Sequence, residues 1–173
     1  MPKIIEDIKE NILKETRRQI QEYGYSKVTV RSIASALKVG VGTIYNYYPS
    51  KDMIVAAFMV EDWMKCLGEI NKLVFNSNDC LKIIYDKFNQ FITEHSMLFN
   101  DSLAEKNYAL TSHKWHNVLI KQIADIIIVQ CDESDIDNKD FLSLYIAESL
   151  ISWCLAGKDY SELSPIFNVL LKK

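Results

Sequence analysis

The sequence predicts an all-α protein of about nine helices. Its 5 Gly and 3 Pro in 173 residues leave few turns for strands, and its apolar residues recur at helical spacing, not in alternation. A hydrophobic share of 49% is enough for a substantial core. Charge divides the chain. Residues 1–51 carry nine Lys/Arg against five Asp/Glu, whereas residues 52–173 carry eleven against eighteen. A basic N-terminal third on an acidic remainder is the polarity of a protein whose one end meets a polyanion. The reading is therefore two domains, 1–50 and 51–173.

The first helix is expected over residues 4–23, with Ile8, Ile12, Thr16 and Ile20 every fourth residue and Ile5, Leu13 and Tyr23 widening the stripe. Gly24 supplies a left-handed stop. Thr29 is placed to cap a second helix, its hydroxyl accepting from the N–H of Arg31 or Ser32. Ile33, Ala34 and Leu37 face inward, and Ala34 and Ala36 permit close helix approach. Lys38-Val39-Gly40 is short enough to be the turn of a helix-turn-helix. A third helix follows, capped by Gly40, anchored by Ile44 and Tyr48, and ended by Pro49.

Ser50 caps a long fourth helix from Lys51 to about Phe75, with Met53, Ile54, Ala57, Phe58, Glu61, Met64 and Leu67 at helical spacing. A fifth helix is expected from Cys80 to about Leu98, and a short sixth over 102–110. The seventh runs from Thr111 to Cys131, the eighth over 138–156 up to Gly157, and the ninth from Tyr160 to Leu171. Pro165 interrupts or starts that last helix.

The third helix is unusual for one meant only for burial. Gly42 lets the backbone approach a base edge or phosphate. Thr43 can bond a base or phosphate, and Tyr45, Asn46 and Tyr47 carry polar tips that reach phosphates or, for Asn46, an adenine. In a helix-turn-helix the second helix lies in the major groove with its N-terminal residues nearest the bases. Lys51 stands at a helix N-terminus, where the dipole slightly disfavours a cation, and a role at the DNA surface explains it.

The stretch from Ile12 to Ile54 resembles the DNA-binding domain of the TetR family of bacterial transcriptional regulators. The matching residues are Ile12-Leu13, Tyr23-Gly24-Tyr25, Thr29, Ile33-Ala34, Val39, Gly42-Thr43-Ile44-Tyr45, Tyr47-Tyr48 and Ser50-Lys51. The resemblance covers about a quarter of the chain. It implies DNA contacts by Thr29, Gly40, Val41, Gly42, Thr43, Tyr45, Asn46, Tyr47 and Lys51. Two residues depart from the pattern: Lys38 stands where the family often has glycine, and Gly40 where it often has serine.

The resemblance also implies a C-terminal ligand-binding and dimerisation domain. Trp63, Leu67, Phe88, Ile92 and Trp115 are the expected lining of its pocket, for an unknown small-molecule effector. The homodimer is expected through the last two helices, with Leu142, Tyr145, Ile146, Ser149, Leu150, Trp153, Ile166, Phe167 and Leu170 supplying apolar surface. The expected function is a repressor released from a pseudo-palindromic double-stranded operator. Two alternatives stay open: a DNA-binding regulator controlled by a protein partner, and a helical interaction protein that binds no DNA.

No catalytic constellation, phosphate loop or cofactor motif is present, so neither enzyme activity nor a cofactor is expected. His113 and His116 are three apart but lack further ligands, so no metal is expected either. His95 is expected at the surface or partly buried. Cys66, Cys80, Cys131 and Cys154 have no metal or redox spacing and read as buried thiols. The charged N-terminus is not a signal peptide, and no apolar run approaches membrane-spanning length. A cytoplasmic protein without a membrane partner is expected.

Overall fold

The computed structural model describes residues 7–75, 79–99, 101, 116–129 and 138–171. The described residues contain helices and no strands. In order they are α1 (Ile8–Tyr23), a 3-10 turn (Tyr25–Lys27), α2 (Val30–Ala36), α3 (Val41–Tyr47), α4 (Lys51–Val74), α5 (Cys80–Glu94), α6 (Ser96–Phe99), α7 (116–129), α8 (Lys139–Leu155) and α9 (Tyr160–Leu170). The expected sixth helix over 102–110, together with Ile5, His113, Trp115 and Cys131, lies outside the described residues. The chain forms two compact units: residues 1–64 with 95–110, and residues 65–94 with 111–173. Residue 50 is instead the boundary before α4.

In the first unit, α1 buries Ile8, Ile12, Thr16 and Ile20, as its spacing predicts. Tyr23 is exposed and Gln19 is buried, so the stripe turns toward Gln19 at its end. Gln19 is satisfied on both sides of its amide. It donates to Glu15 Oε1 at 2.7 Å and accepts from Ser32 Oγ at 2.7 Å, tying α1 to α2. Gly24 has φ 84°. Beyond it Tyr25 is fully buried and donates its hydroxyl to Asp52 at the start of α4. Ile12, Ile20, Tyr25, Ile33, Ala34, Ile44, Ile54, Val55 and Phe58 belong to one core. Met53 and Met64, at helical spacing in the sequence, are half-exposed instead, and Ala36 is exposed. The buried stripe of α4 runs through Ile54, Val55 and Phe58, one position round from Met53.

A polar cluster closes this unit. Arg17 grips Asp62 with two parallel bonds, Nε to Oδ2 at 3.0 Å and Nη2 to Oδ1 at 2.9 Å. His95 Nε2 lies 3.1 Å from the same Oδ2. Both cluster members also meet Phe58: the Arg17 guanidinium carbon is 5.1 Å from its ring centroid, and the His95 ring stacks on it at 6.4 Å. His95 is thus buried, not at the surface, because one face has an aromatic partner and one nitrogen a carboxylate. It also breaks the expected fifth helix: its carbonyl accepts from Leu98 N–H at 2.8 Å, and α6 starts there.

In the second unit, α5 buries Cys80, Leu81, Ile84, Tyr85, Phe88 and Phe91. α7 buries Ile120, Ile123, Ala124, Ile126 and Ile127. α8 begins under the Asn138 cap, whose side chain accepts from Phe141 N–H at 3.3 Å. It ends before Gly157, at φ 64°. α9 is capped by Asp159, which accepts from Ser161 N–H at 2.8 Å. Pro165 neither starts nor interrupts α9: the helix runs through it. A proline removes the N–H that would bond the carbonyl four residues back, and Ser164 Oγ donates to that carbonyl, of Ser161, at 3.4 Å. Cys80 and Cys154 are buried and Cys66 half-buried, all as free thiols. Burial pushes the Cys66 and Cys154 thiols up to about 11.

The Asp62 cluster gives a direct test of this packing. Asp62→Ala leaves a guanidinium and an imidazole without their shared carboxylate, and should lower stability by roughly 1–3 kcal/mol. Urea denaturation of both proteins measures the difference.

Candidate nucleic-acid interface

α2 and α3 are each seven residues long, too short to be stable alone, and each is held by identifiable local bonds. Thr29 caps α2: its hydroxyl accepts from Ser32 N–H at 3.0 Å, while Thr29 N–H donates to Ser32 Oγ at 3.1 Å. The expected cap is correct, with Ser32 as the donor. α2 ends in a left-handed residue, Lys38, at φ 57°. Lys38 N–H donates to Ser35 O at 3.1 Å and Val39 N–H to Ala34 O at 3.0 Å. These two bonds form the Schellman stop that most often uses glycine. Gly40, in extended conformation, then starts α3, and its carbonyl accepts from Thr43 N–H at 2.9 Å.

α3 buries Ile44 completely. Leu37, Val39, Val41 and Tyr48 pack half-buried against the same core. Burial raises the Tyr48 phenol above its ordinary value, and Glu61 adds to that. With that face engaged, Tyr45, Asn46 and Tyr47 stand exposed, Thr43 is half-exposed, and Gly40 and Gly42 open their backbone to solvent. A Cβ added at Gly42 would meet nothing within 4 Å, and one at Gly40 only Thr43 Oγ1 at 3.8 Å. Thr29 lies exposed at the start of α2, its hydroxyl proton free to donate because the cap uses only an oxygen lone pair. Eight of the nine expected contact residues thus lie on the α2 start, the turn and α3. Val41 is the one among them that packs mainly inward.

Lys51, the ninth, differs. Its ammonium donates to the Tyr25 carbonyl at 2.9 Å and sits 3.7 Å from the centroid of the Tyr25 ring. Burial lowers its pKa, with Asp52 and Asp101 opposing. Packing alone therefore explains a cation at this helix N-terminus. The sequence carries no signal for this, because Tyr25 is 26 residues away.

The cations of this unit fall into two sets. On α1, Lys14 pairs with Glu10 at 2.7 Å, Arg17 with Asp62, and Arg18 with Glu15 and Glu22. The Arg18 guanidinium is the chief reason the Glu15 carboxyl titrates below its ordinary value. Lys9 on α1, and Lys27, Arg31 and Lys38 further on, are exposed and make no ion pair among the described residues.

The expected ligand-pocket residues are less concentrated. Trp63 and Phe88 are buried, Phe88 stacking on Phe91 at 6.4 Å. Leu67 and Ile92 are half-buried, and Trp115 lies outside the described residues. The second unit has a solvent-open cleft of about 810 Å³ lined by Asp79, Lys82, Tyr85, Asp86, Asp159 and Tyr160 among others, and by none of those five. Its polar groups serve the helices: Asp79 accepts from Lys82 N–H at 3.2 Å, Lys82 pairs with Asp86 at 2.6 Å, and Asp159 caps α9. Burial pushes the Tyr160 phenol up to about 12. No group of three or more His, Cys, Asp or Glu suited to a metal ion occurs among the described residues. His116 Nε2 lies 3.0 Å from Glu148.

Two short helices joined by the four residues 37–40, the second carrying an outward row of hydrogen-bonding side chains, define a helix-turn-helix protein. Residues 12–58 match the model of the bacterial regulatory proteins of the tetR family. The match is confined to the head of this chain. It is 38% identical over 66 residues to the HTH-type transcriptional repressor Rv1474c of Mycobacterium tuberculosis, covering 36% of this chain and 35% of that protein. It is 37% identical over 49 residues to the uncharacterized HTH-type transcriptional regulator Mb1581 of Mycobacterium bovis, covering 28% and 24%. The match thus spans about a third or less of these curated relatives.

Solved structures share the fold over nearly the whole chain. The TetR family repressor AlkX from Dietzia sp., implicated in biodegradation of n-alkanes, aligns with TM-score 0.62 at 16% identity over 95% of each chain. The fatty acid degradation regulator FadR from Bacillus halodurans aligns with TM-score 0.59 at 16% identity over 94% of each. The transcriptional regulator FadR from Bacillus subtilis, in complex with stearoyl-CoA, aligns with TM-score 0.51 at 17% identity over 94% of this chain and 95% of that one.

Gly42 gives the site its own test. Gly42→Ala has room for its methyl and removes a glycine from an exposed helix, so it should raise stability by about 0.5–1 kcal/mol. A thermal melt followed by circular dichroism checks this.

Proposed function

We propose that this protein is a sequence-specific DNA-binding transcriptional regulator that acts as a homodimer. Residues 1–50 are its DNA-binding domain and residues 51–173 its regulatory and dimerisation domain. The observation that carries the reading is the division of α3: Ile44 is locked into the core while Thr43, Tyr45, Asn46 and Tyr47 present hydrogen-bonding groups outward. The sign proposed is repression, with release by a small molecule and a cytoplasmic location. Among the described residues no helix is long and apolar enough to cross a membrane.

One head makes a small contact, and a pseudo-palindrome is read by two heads about 34–36 Å apart. The surface that supports dimerisation is on α8 and α9, where Phe141, Tyr145, Leu155, Ile166 and Val169 are each at least half exposed. Ile146, Leu150 and Phe167, expected from the sequence to supply this surface, are buried within their own unit. An effector bound to the regulatory domain would favour head spacings that do not fit DNA, and DNA would weaken effector binding by the same factor. Two fold relatives are FadR regulators, one of them bound to stearoyl-CoA, which makes that compound the first probe.

The DNA test is a mobility-shift assay on the region upstream of the protein's own gene. Binding should be salt-dependent, and Tyr45→Ala or Thr43→Ala should each weaken it by about 1–3 kcal/mol. Unaltered binding by both variants would remove α3 as the reading helix. For the dimer, Ile166→Lys with Tyr145→Lys should convert a two-chain species to a one-chain species in light scattering, with the helical content kept.

A further inference from the structure

We propose that Lys38 is a DNA-backbone phosphate contact built into the turn before α3. The inference rests on the reading of the head as a DNA-binding unit and adds to it a residue outside the expected contact set. Its starting point is a conflict between residue and conformation. Lys38 has φ 57°, in the left-handed region that a side chain with a Cβ disfavours. The turn needs that conformation, since it produces the two bonds from Lys38 and Val39 back to Ser35 and Ala34. A glycine would make the same two bonds without strain. The lysine side chain is therefore not there for the turn.

Nothing within the described structure uses it. The Lys38 side chain is exposed and makes no hydrogen bond or ion pair among the described residues. This separates it from Lys14, Arg17 and Arg18, which are paired, and from Lys51, which is folded over Tyr25. Lys38 stands two residues before Gly40, the cap of α3. The N-terminal end of the second helix of such a motif lies nearest the bases, so the turn that delivers it passes beside the flanking phosphates. Gly40 has no side chain to offer there. The ammonium of Lys38, on a flexible four-carbon stem, meets a phosphate as a point charge. Such a contact adds affinity and fixes position without reading sequence.

A competing role exists at the same place, because a cation at the C-terminal end of α2 also favours the helix dipole. The two roles separate in one experiment. Binding to a fluorescein-labelled mixed-sequence duplex is followed by anisotropy from about 50 to 200 mM KCl, where each phosphate contact contributes about 0.9 to the slope of log affinity against log salt. Lys38→Gly keeps the left-handed backbone and removes the charge. It should bind several-fold more weakly at low salt with a shallower slope, while melting no lower than the wild type. Lys38→Arg should restore the slope, and Lys14→Gln, which removes a paired surface cation, should leave it unchanged. An unchanged slope in Lys38→Gly, or a lower melting temperature with unchanged binding, assigns Lys38 to the dipole and overturns the contact. Absence of salt-dependent binding by the wild type overturns the DNA-binding reading itself.

Discussion

Helix α3 is two turns long and seals only one residue completely, Ile44. A helix of that length has no stability of its own in water, so its existence depends on how it is delivered to the core. The delivery is the left-handed turn at Lys38. Reversing the chain there brings Val39 and Val41 against the core and puts Ile44 in one cluster with Ile33 and Ala34. With one face committed, 3.6-residue periodicity leaves Thr43, Tyr45, Asn46 and Tyr47 on the flanks and outside. The chemistry of the outer face is thus a consequence of a packing constraint on the inner one.

Charge in the head is divided by the same logic. Cations that fall over the core are consumed by it. Arg17 bridges α1 to α4 through Asp62 and lies against Phe58, and Lys51 rests on the buried Tyr25. Cations in the segment from the 3-10 turn to the start of α3 make no ion pair among the described residues. A basic surface next to α3 therefore remains, although α1 is close to neutral through its own pairs. Net charge over 1–51 describes this poorly, because it counts paired and unpaired cations alike.

The second unit faces the opposite problem, too much apolar surface for one chain to cover. α8 buries Ile146, Ala147, Leu150, Ile151 and Cys154 on one side and exposes Phe141, Tyr145 and Leu155 on another. α9 behaves alike, with Leu163 and Phe167 inside and Ile166 and Val169 outside. A helix apolar on all sides is normally covered on all sides.

The sequence alone determined the helical class, most element positions and the helix-turn-helix, because those rest on local signals. Four-residue spacing located α1, Gly24 and Gly157 marked helix ends, and Thr29 announced its cap. The outward set on α3 was legible for the same reason, since Ile44 and Pro49 fix its phase and its end. The sequence does not show what depends on distant partners. His95 is buried because Phe58 and Asp62 are there to receive it, and Lys51 is held because Tyr25 is. Pro165 sits inside a helix because Ser164 takes over the carbonyl it abandons. Which apolar residues of α8 and α9 face inward was also undecidable from spacing, since both sides are apolar. Tertiary structure decided these cases because burial and pairing are properties of the neighbours across a contact, and periodicity along one helix does not identify them.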